Sequence, residues 1–506
     1  MIKSRKKKAT INIISATIYE LIAFISGLIL PRLILSNFGS EYNGITSSIV
    51  QFLNLVAILR LGIAGATRVA LYKTLANDDL EGTSSIVKAT ENYMRKIGIV
   101  IIIYICVLAF LYPLIIHSSI SYFDVVILII ASGIGTFAQY YFGITYQTFL
   151  SADQSIYIYN FIQVGCTLLN TIISVILIKL GFSIQFVKGA SALIFFATPL
   201  ILNIYVSKKY KLKKDCEPNK TALDGKKDVM GHSIANIIHS NTDIIVLSVF
   251  CNVKVVSIYT VYNLVMTGLK KVLDIFSTGT ESIFGNMVAK NENDKIKKNL
   301  NLYEYIIGIF IIVSISCTLV LLIPFVSLYT KGIKDVNYIL PSYAIVITIA
   351  QAFFCMRTPY LTLVQGAGHY KETKKGAYLE AILNLSISVV LVNIIGIVGT
   401  AIGTLFANIF RTLQYAIYIE KNIISRGKNI IINRFVWITL SISIISFFGK
   451  IFLYKYAIIS WISWTIIAIM MIIISAFITL ITSLLICRDD LFQLYLLVKS
   501  VVKKGE

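Results

Sequence analysis

Long apolar runs, separated by short polar stretches, recur from one end of the chain to the other. A helical crossing of a bilayer takes about 20 largely apolar residues. Segments near 11–35, 44–65, 97–116, 124–149, 155–178, 184–207, 232–251, 257–276, 303–328, 340–364, 376–395, 399–419, 433–454 and 458–486 meet that need. The pattern predicts an all-α polytopic membrane protein of about fourteen transmembrane helices. Lipid offers the backbone no hydrogen-bond partners, so each span must satisfy its own, as a helix does. Membrane barrels instead alternate apolar and polar residues over about ten positions, and these runs are continuous in Ile, Leu and Val.

Composition agrees. The 506 residues are 57% hydrophobic and 14% charged, with a mean hydropathy of +0.80, whereas soluble domains carry about 25% charge. A soluble enzyme, a disordered chain and a collagen-like chain are excluded. The net charge of +21 lies in short clusters between the apolar runs, which is a topology signal rather than a nucleic-acid surface. The basic start Met-Ile-Lys-Ser-Arg-Lys-Lys-Lys precedes a run too long for a signal peptide and without a small-residue cleavage site, so it is expected to remain as an anchor. With that end in the cytoplasm, 35 Lys and Arg fall on the cytoplasmic side, six outside and five within spans. This asymmetry predicts an even number of spans and cytoplasmic N- and C-termini. Seven cysteines, mostly in apolar runs and without metal-ligand spacing, give no metal site, and no cofactor is expected.

An internal duplication organises the chain. FLSADQ (149–154) recurs as VQGAGH (364–369), LLNTIIS (168–174) as ILNLSIS (382–388), and Gly181 matches Gly396, all at offsets of 214 or 215 residues. A weaker match pairs ENYMRKIGIVI (91–101) with NLYEYIIGIFI (301–311). The expected organisation is an N-lobe of six spans (1–207), a basic cytoplasmic linker (208–231), a C-lobe of six spans (232–420), and two extra helices with a cytoplasmic tail (421–506). A six-span unit returns to its starting side, so the lobes are expected to be related by a pseudo-symmetry axis along the membrane normal, around a central cavity.

Ionisable groups inside a membrane are costly and mark cavities, partners or pathways. His232, Asn236, His239 and Asp243 share one helical face of the seventh span. Histidine titrates near neutrality, so this face can carry protons or hold an anion. The eighth span aligns Asn263, Lys270 and Asp274. The fifth aligns Asn160, Gln163, Thr167, Thr171 and Ser174. Glu380, Asn384 and Ser388 mark the eleventh, and Thr400, Thr404, Asn408, Arg411 and Tyr415 the twelfth. Arg32, Arg60 and Arg357 are further cations within or bordering spans. Arginine forks onto phosphate and never loses its charge, so a lumen lined by it suits a phosphorylated substrate. The bland alternatives are snorkelling to headgroups and polar contacts between packed helices. Tyr140, Tyr141, Phe142 and Tyr146, and again Tyr259 and Tyr262, suit either an interfacial belt or a path for sugars and an isoprenoid tail.

Three stretches carry a family resemblance: RLILSNFGSEYNGITSSIVQFLNLVAILRLGIAGA (32–66), NTDIIVLSVFCNVKVVSIYTVYNLV (241–265) and GAGHYKETKKGAYLEAILNLSISVVLVNIIGIVGTAIGT (366–404). They resemble Wzx-type polysaccharide flippases of the multidrug/oligosaccharidyl-lipid/polysaccharide exporter superfamily. The resemblance implies two six-helix lobes around a lumen lined by spans one, two, seven and eight. It implies movement of a polyprenyl-diphosphate-linked oligosaccharide repeat unit to the outer leaflet of a bacterial plasma (inner) membrane for cell-surface polysaccharide assembly, such as exopolysaccharide or capsule. Alternating access, proton or sodium coupling and polysaccharide polymerase partners come with it. Arg60 stands where relatives often carry an acidic residue.

The expected substrate or coupling residues are Arg32, Arg60, His232, Asn236, His239, Asp243, Lys270, Arg357 and Arg411, with Glu20 and Glu380 as candidates for ion coupling. Membrane lipid is an expected partner and nucleic acid is not. A lipid-linked peptidoglycan precursor flippase and a multidrug or cation antiporter share the architecture. A membrane glycosyltransferase or polymerase would need catalytic residues on sizeable external loops, and neither GxxxxGK[ST] nor HExxH occurs. Enzyme activity is therefore not expected.

Overall fold

Continuous apolar runs of straight-chain and β-branched residues, with no water to compete for the backbone, fold as helices throughout. The computed structural model describes residues 2–213, 215–219, 230–455 and 458–505, excluding the side chains of 2–6, 230–233, 236, 278, 428, 452–455 and 500–505. Among the described residues the helices are α1 (Ile2–Asn54), α2 (Ile63–Ala76), α3 (Leu80–Ile115), α4 (Tyr122–Ala138), α5 (Ile144–Ala152), α6 (Tyr157–Lys179), α7 (Ile184–Tyr210), α8 (Met230–Phe250), α9 (Val253–Ala289), α10 (Asn293–Tyr329), α11 (Pro341–Met356), α12 (Thr358–Gly366), α13 (Tyr370–Ile395), α14 (Ile397–Asn422), α15 (Lys428–Lys455), α16 (Trp461–Ile486) and α17 (Arg488–Gly505).

Each of the fourteen expected segments falls on helix. Ten helical stretches are long and apolar enough to cross a membrane on composition alone. The first two segments merge into one stretch along α1, and polar stripes dilute the apolarity of α9 and α14. Of α8, the described part Ile237–Phe250 is a shorter apolar helix. Large apolar side chains such as Ile103, Phe110, Phe123, Leu193, Phe447 and Leu485 stand exposed along the spans, a surface that only lipid covers at little cost. The chain is a multi-pass membrane protein.

Contacts group the chain into two compact units, Met1–Thr260 with Gly332–Val336, and Val261–Lys331 with Asn337–Glu506. In the first, Ile45, Ile49, Met94, Ile101, Leu128 and Ile129 form the main core. The break in α1 lies at Gly39, whose φ of 86° belongs to glycine. Helix resumes at Ser40, whose backbone N–H and Oγ both donate to Asp335, at 2.8 and 2.7 Å. Further along α1, Asn43 donates to Ser257 (2.8 Å) and Ser48 pairs with Ser248 (2.6 Å). In the second unit, Trp437 of α15 is fully buried, stacks on Tyr305 with centroids 5.1 Å apart, and donates to Thr482 of α16. A Cβ on Gly308 of α10 would come within 2.5 Å of that indole, so α15 and α16 pack into the core of this unit rather than beside it.

The repeat is visible in the helix plan. α5 and α12 are both nine residues long and start 214 residues apart. Gly181 and Gly396 both have positive φ, 81° and 59°, where α6 and α13 give way to the next helix. The helices before α5 and α12 break at the same place. In the first repeat the break is a π-helical turn, Gln139–Gly143. In the second it is the single residue Arg357, followed by Pro359.

Candidate functional site

The densest set of expected residues lies in the second unit. The buried face of α13 carries Gly376, Ala377, Glu380, Ala381, Asn384 and Ser388, and that of α14 carries Gly403, Ala407, Asn408, Arg411 and Tyr415. Small residues let the two backbones approach. A Cβ on Gly399 would collide with the Leu391 carbonyl, and one on Gly403 with Ser388 Oγ. That closeness sets Arg411 against Glu380. Gly376 makes room for the guanidinium, since a Cβ there would strike its Nη1. Arg357 arrives from the α11–α12 break.

Glu380 holds both arginines. Its Oε1 accepts from Arg357 Nη1, and its Oε2 lies 3.3 Å from Arg411 Nε. All three side chains are more than nine-tenths buried. Arg411 further donates to the Thr373 carbonyl (3.1 Å), Gln414 Oε1 (2.5 Å) and the Tyr415 hydroxyl, with its guanidinium 4.0 Å from the Tyr415 ring centroid. Arg357 lies 4.3 Å from the Phe354 ring centroid, and Lys270 of α9 puts its ammonium 4.6 Å from the same ring. Two guanidinia on one carboxylate leave a formal surplus of positive charge. Arg357 Nε is buried without a hydrogen-bond partner among the described residues, and an unfilled buried donor on a cation is expensive to leave unmade.

The other expected residues are placed separately. On α8, His239 and Asp243 are buried, and Asp243 accepts from Tyr259 at 3.3 Å. The side chains of His232 and Asn236 lie outside the described residues. Arg60, at the end of the 3-10 turn Leu55–Arg60, stands 5.7 Å over the Tyr140 ring. Arg32 is half-buried after Pro31, and Glu20 is exposed on α1.

Two features escape a reading by span. Arg426, which counts in sequence as a cytoplasmic loop charge, is buried. It makes a bidentate contact with Glu304 of α10 (2.9 and 3.0 Å) and a second pair with Glu420 (3.2 Å). Burial opposes its charge, but Glu304 more than offsets this, so its pKa is raised. The only sequence signal was Glu304 inside an apolar run. Lys188, an ionisable residue within a span, is half-buried on the side of α7 away from exposed Phe186 and Leu193.

No protein family and no curated protein matches the sequence. Solved structures do match. The lipid II flippase MurJ in its inward closed conformation superposes with a TM-score of 0.69 at 16% identity, covering 94% of this chain and 98% of that one. An inward-facing multidrug resistance MATE family transporter of the MOP superfamily gives 0.64 at 13% identity, covering 80% and 94%. A MOP superfamily transporter from Pyrococcus furiosus, described as having a binding pocket of reversed polarity, gives 0.53 at 15%, covering 82% and 96%. At these identities the likeness is one of fold: the chain has the all-α fold of the MOP transporters.

Proposed function

We propose that the chain is a flippase that carries a polyprenyl-diphosphate-linked oligosaccharide repeat unit from the cytoplasmic to the outer leaflet of a bacterial plasma membrane. It works by alternating access, with both termini cytoplasmic and a proton or sodium gradient as the drive. The observation that carries this reading is the buried Arg357–Glu380–Arg411 cluster with its unfilled Arg357 Nε. A diphosphate supplies the forked anionic oxygens that guanidinium geometry matches. Half-buried Lys270, beside the same Phe354 ring, is a further cation for the headgroup. Arg32, Arg60, His232, Asn236, His239 and Asp243 contribute further substrate or coupling contacts, with Glu20 a candidate for ion coupling. Glu380 keeps the guanidinia poised and is the ion-coupling candidate of this unit.

The fold likeness to a lipid II flippase over 94% of the chain favours a second reading with the same chemistry, a lipid-linked peptidoglycan precursor. A multidrug or cation antiporter fits the cluster less well, because two arginines on one carboxylate leave a surplus of positive charge.

The test is translocation of a labelled polyprenyl-diphosphate-sugar by the full chain in proteoliposomes. Loss of a hydrogen bond to a charged group costs about 1.5–3 kcal/mol. Arg357→Gln should therefore slow transfer about 10- to 100-fold, and Arg357→Lys should keep part of the rate. Full activity in folded Arg357→Gln, or a wild-type protein that exports organic cations and moves no lipid-linked sugar, overturns the reading.

A further inference from the structure

The first unit holds a half-open cavity of about 220 Å³ among α4, the π-helical turn, α5, α6 and α7. It is far larger than one water needs and smaller than the roughly 300–1,000 Å³ of drug-sized pockets. Its hydrogen-bonding groups are all uncharged: Gln139, Gln147, Gln163, Tyr159 and Thr198 line it, with the ring of Phe195. Gln163 is already oriented, donating to the Tyr159 hydroxyl at 2.6 Å. Thr198 is 5% exposed, and its Oγ1 has no hydrogen-bond partner among the described residues. A buried hydroxyl facing a cavity with nothing to bond is a group waiting for a ligand atom.

The repeat shows how the two copies differ. Gly143, which lines the cavity, stands one residue before α5 as Arg357 stands one residue before α12. At the 214-residue offset that aligns Asn170 with Asn384, Cys166 takes the place of Glu380 and Ala197 that of Arg411. The positions that hold three charged side chains in the second repeat are uncharged in the first. The cavity is rimmed by carboxamides and hydroxyls, and the π turn, a distortion frequent at functional sites, delivers Gln139 to it.

Carboxamides and hydroxyls donate and accept at once, which suits a ring bearing several hydroxyl or acetamido groups. The absence of charge among the lining residues disfavours an ion. We infer that this cavity is a recognition subsite for one uncharged monosaccharide ring of the transported glycan. The inference rests on the flippase reading for its role, but the binding itself is testable apart from transport.

The probes are N-acetylglucosamine and glucose, with glucuronate as a charged control, added to the purified full chain. Binding is followed by ligand-observed NMR and by the melting temperature, which rises when a ligand binds only the folded state. The neutral sugars should bind at least tenfold more tightly than glucuronate. Thr198→Val and Gln163→Leu should each weaken binding about three- to tenfold, the worth of one neutral hydrogen bond. Gly135 also lines the cavity, and a Cβ there meets Phe195 Cβ at an ordinary 3.7 Å. Gly135→Leu should therefore fold, fill the hollow and abolish binding.

Failure of the neutral sugars to bind wild type, or equal binding to Gly135→Leu, overturns the inference. So does a Gly135→Leu protein that transports every lipid-linked sugar at the wild-type rate while Arg357→Gln does not; the flippase reading then stands alone. If sugar binds at the cavity and no lipid-linked sugar is moved, the subsite stands and the flippase reading falls.

Discussion

Glu380 is the carboxylate on which two buried guanidinia depend. Removing one partner of a buried pair leaves an uncompensated charge, at a cost of about 3–5 kcal/mol. Glu380→Gln is therefore expected to lower the melting temperature of the purified protein sharply. The double change Glu380→Gln with Arg411→Gln should recover part of that loss, because it removes a stranded cation too. An unchanged melting temperature for the single variant would show that the arginines have other anions to turn to. The three charged residues were individually legible as ionisable groups inside apolar runs. Their meeting was not, because it depends on the rotation of α13 and α14 and on the break at Arg357. The role of Gly376 was invisible for the same reason: a missing side chain says nothing until its neighbour is known.

Helices α13 and α14 are held together by what they lack. Gly399 and Gly403 let the backbones meet, and Asn384 donates to Thr404 at 3.2 Å across the seam. A branched side chain at the second glycine has to push Ser388 away, and overpacking of this kind costs about 1–3 kcal/mol. Gly403→Val should reduce thermal stability by that order, whereas the same change at Gly189, its counterpart in the first repeat with nothing within 4 Å of a Cβ, should cost little from packing. Apolar length places ten helical stretches in the sequence, since lipid leaves the backbone no alternative. Their interruptions were less readable. Pro31, Pro113, Pro199 and Pro324 all sit inside helices. The π turn at Gln139–Gly143 and the kink at Gly39 carry no proline at all.

At the scale of the molecule, the duplication read from a few recurring hexamers and heptamers recurs in helix lengths, in break positions and in paired left-handed glycines. The contrast between a charged centre in one copy and a neutral hollow in the other could not be read from matched residues, because it lives in the mismatches. One long-range contact shows how far such information is spread. The helix that resumes at Ser40 takes its cap from Asp335, 295 positions away in sequence. Loss of a cap costs about 1 kcal/mol, so Asp335→Ala should speed amide exchange at Ser40 about fivefold, and unchanged exchange would mean another group has taken its place. Two stretches of gene almost three hundred codons apart thus answer to a single constraint. A drift at either one is tolerated only when the other drifts to match, so positions 40 and 335 should vary as a pair among descendants of this chain.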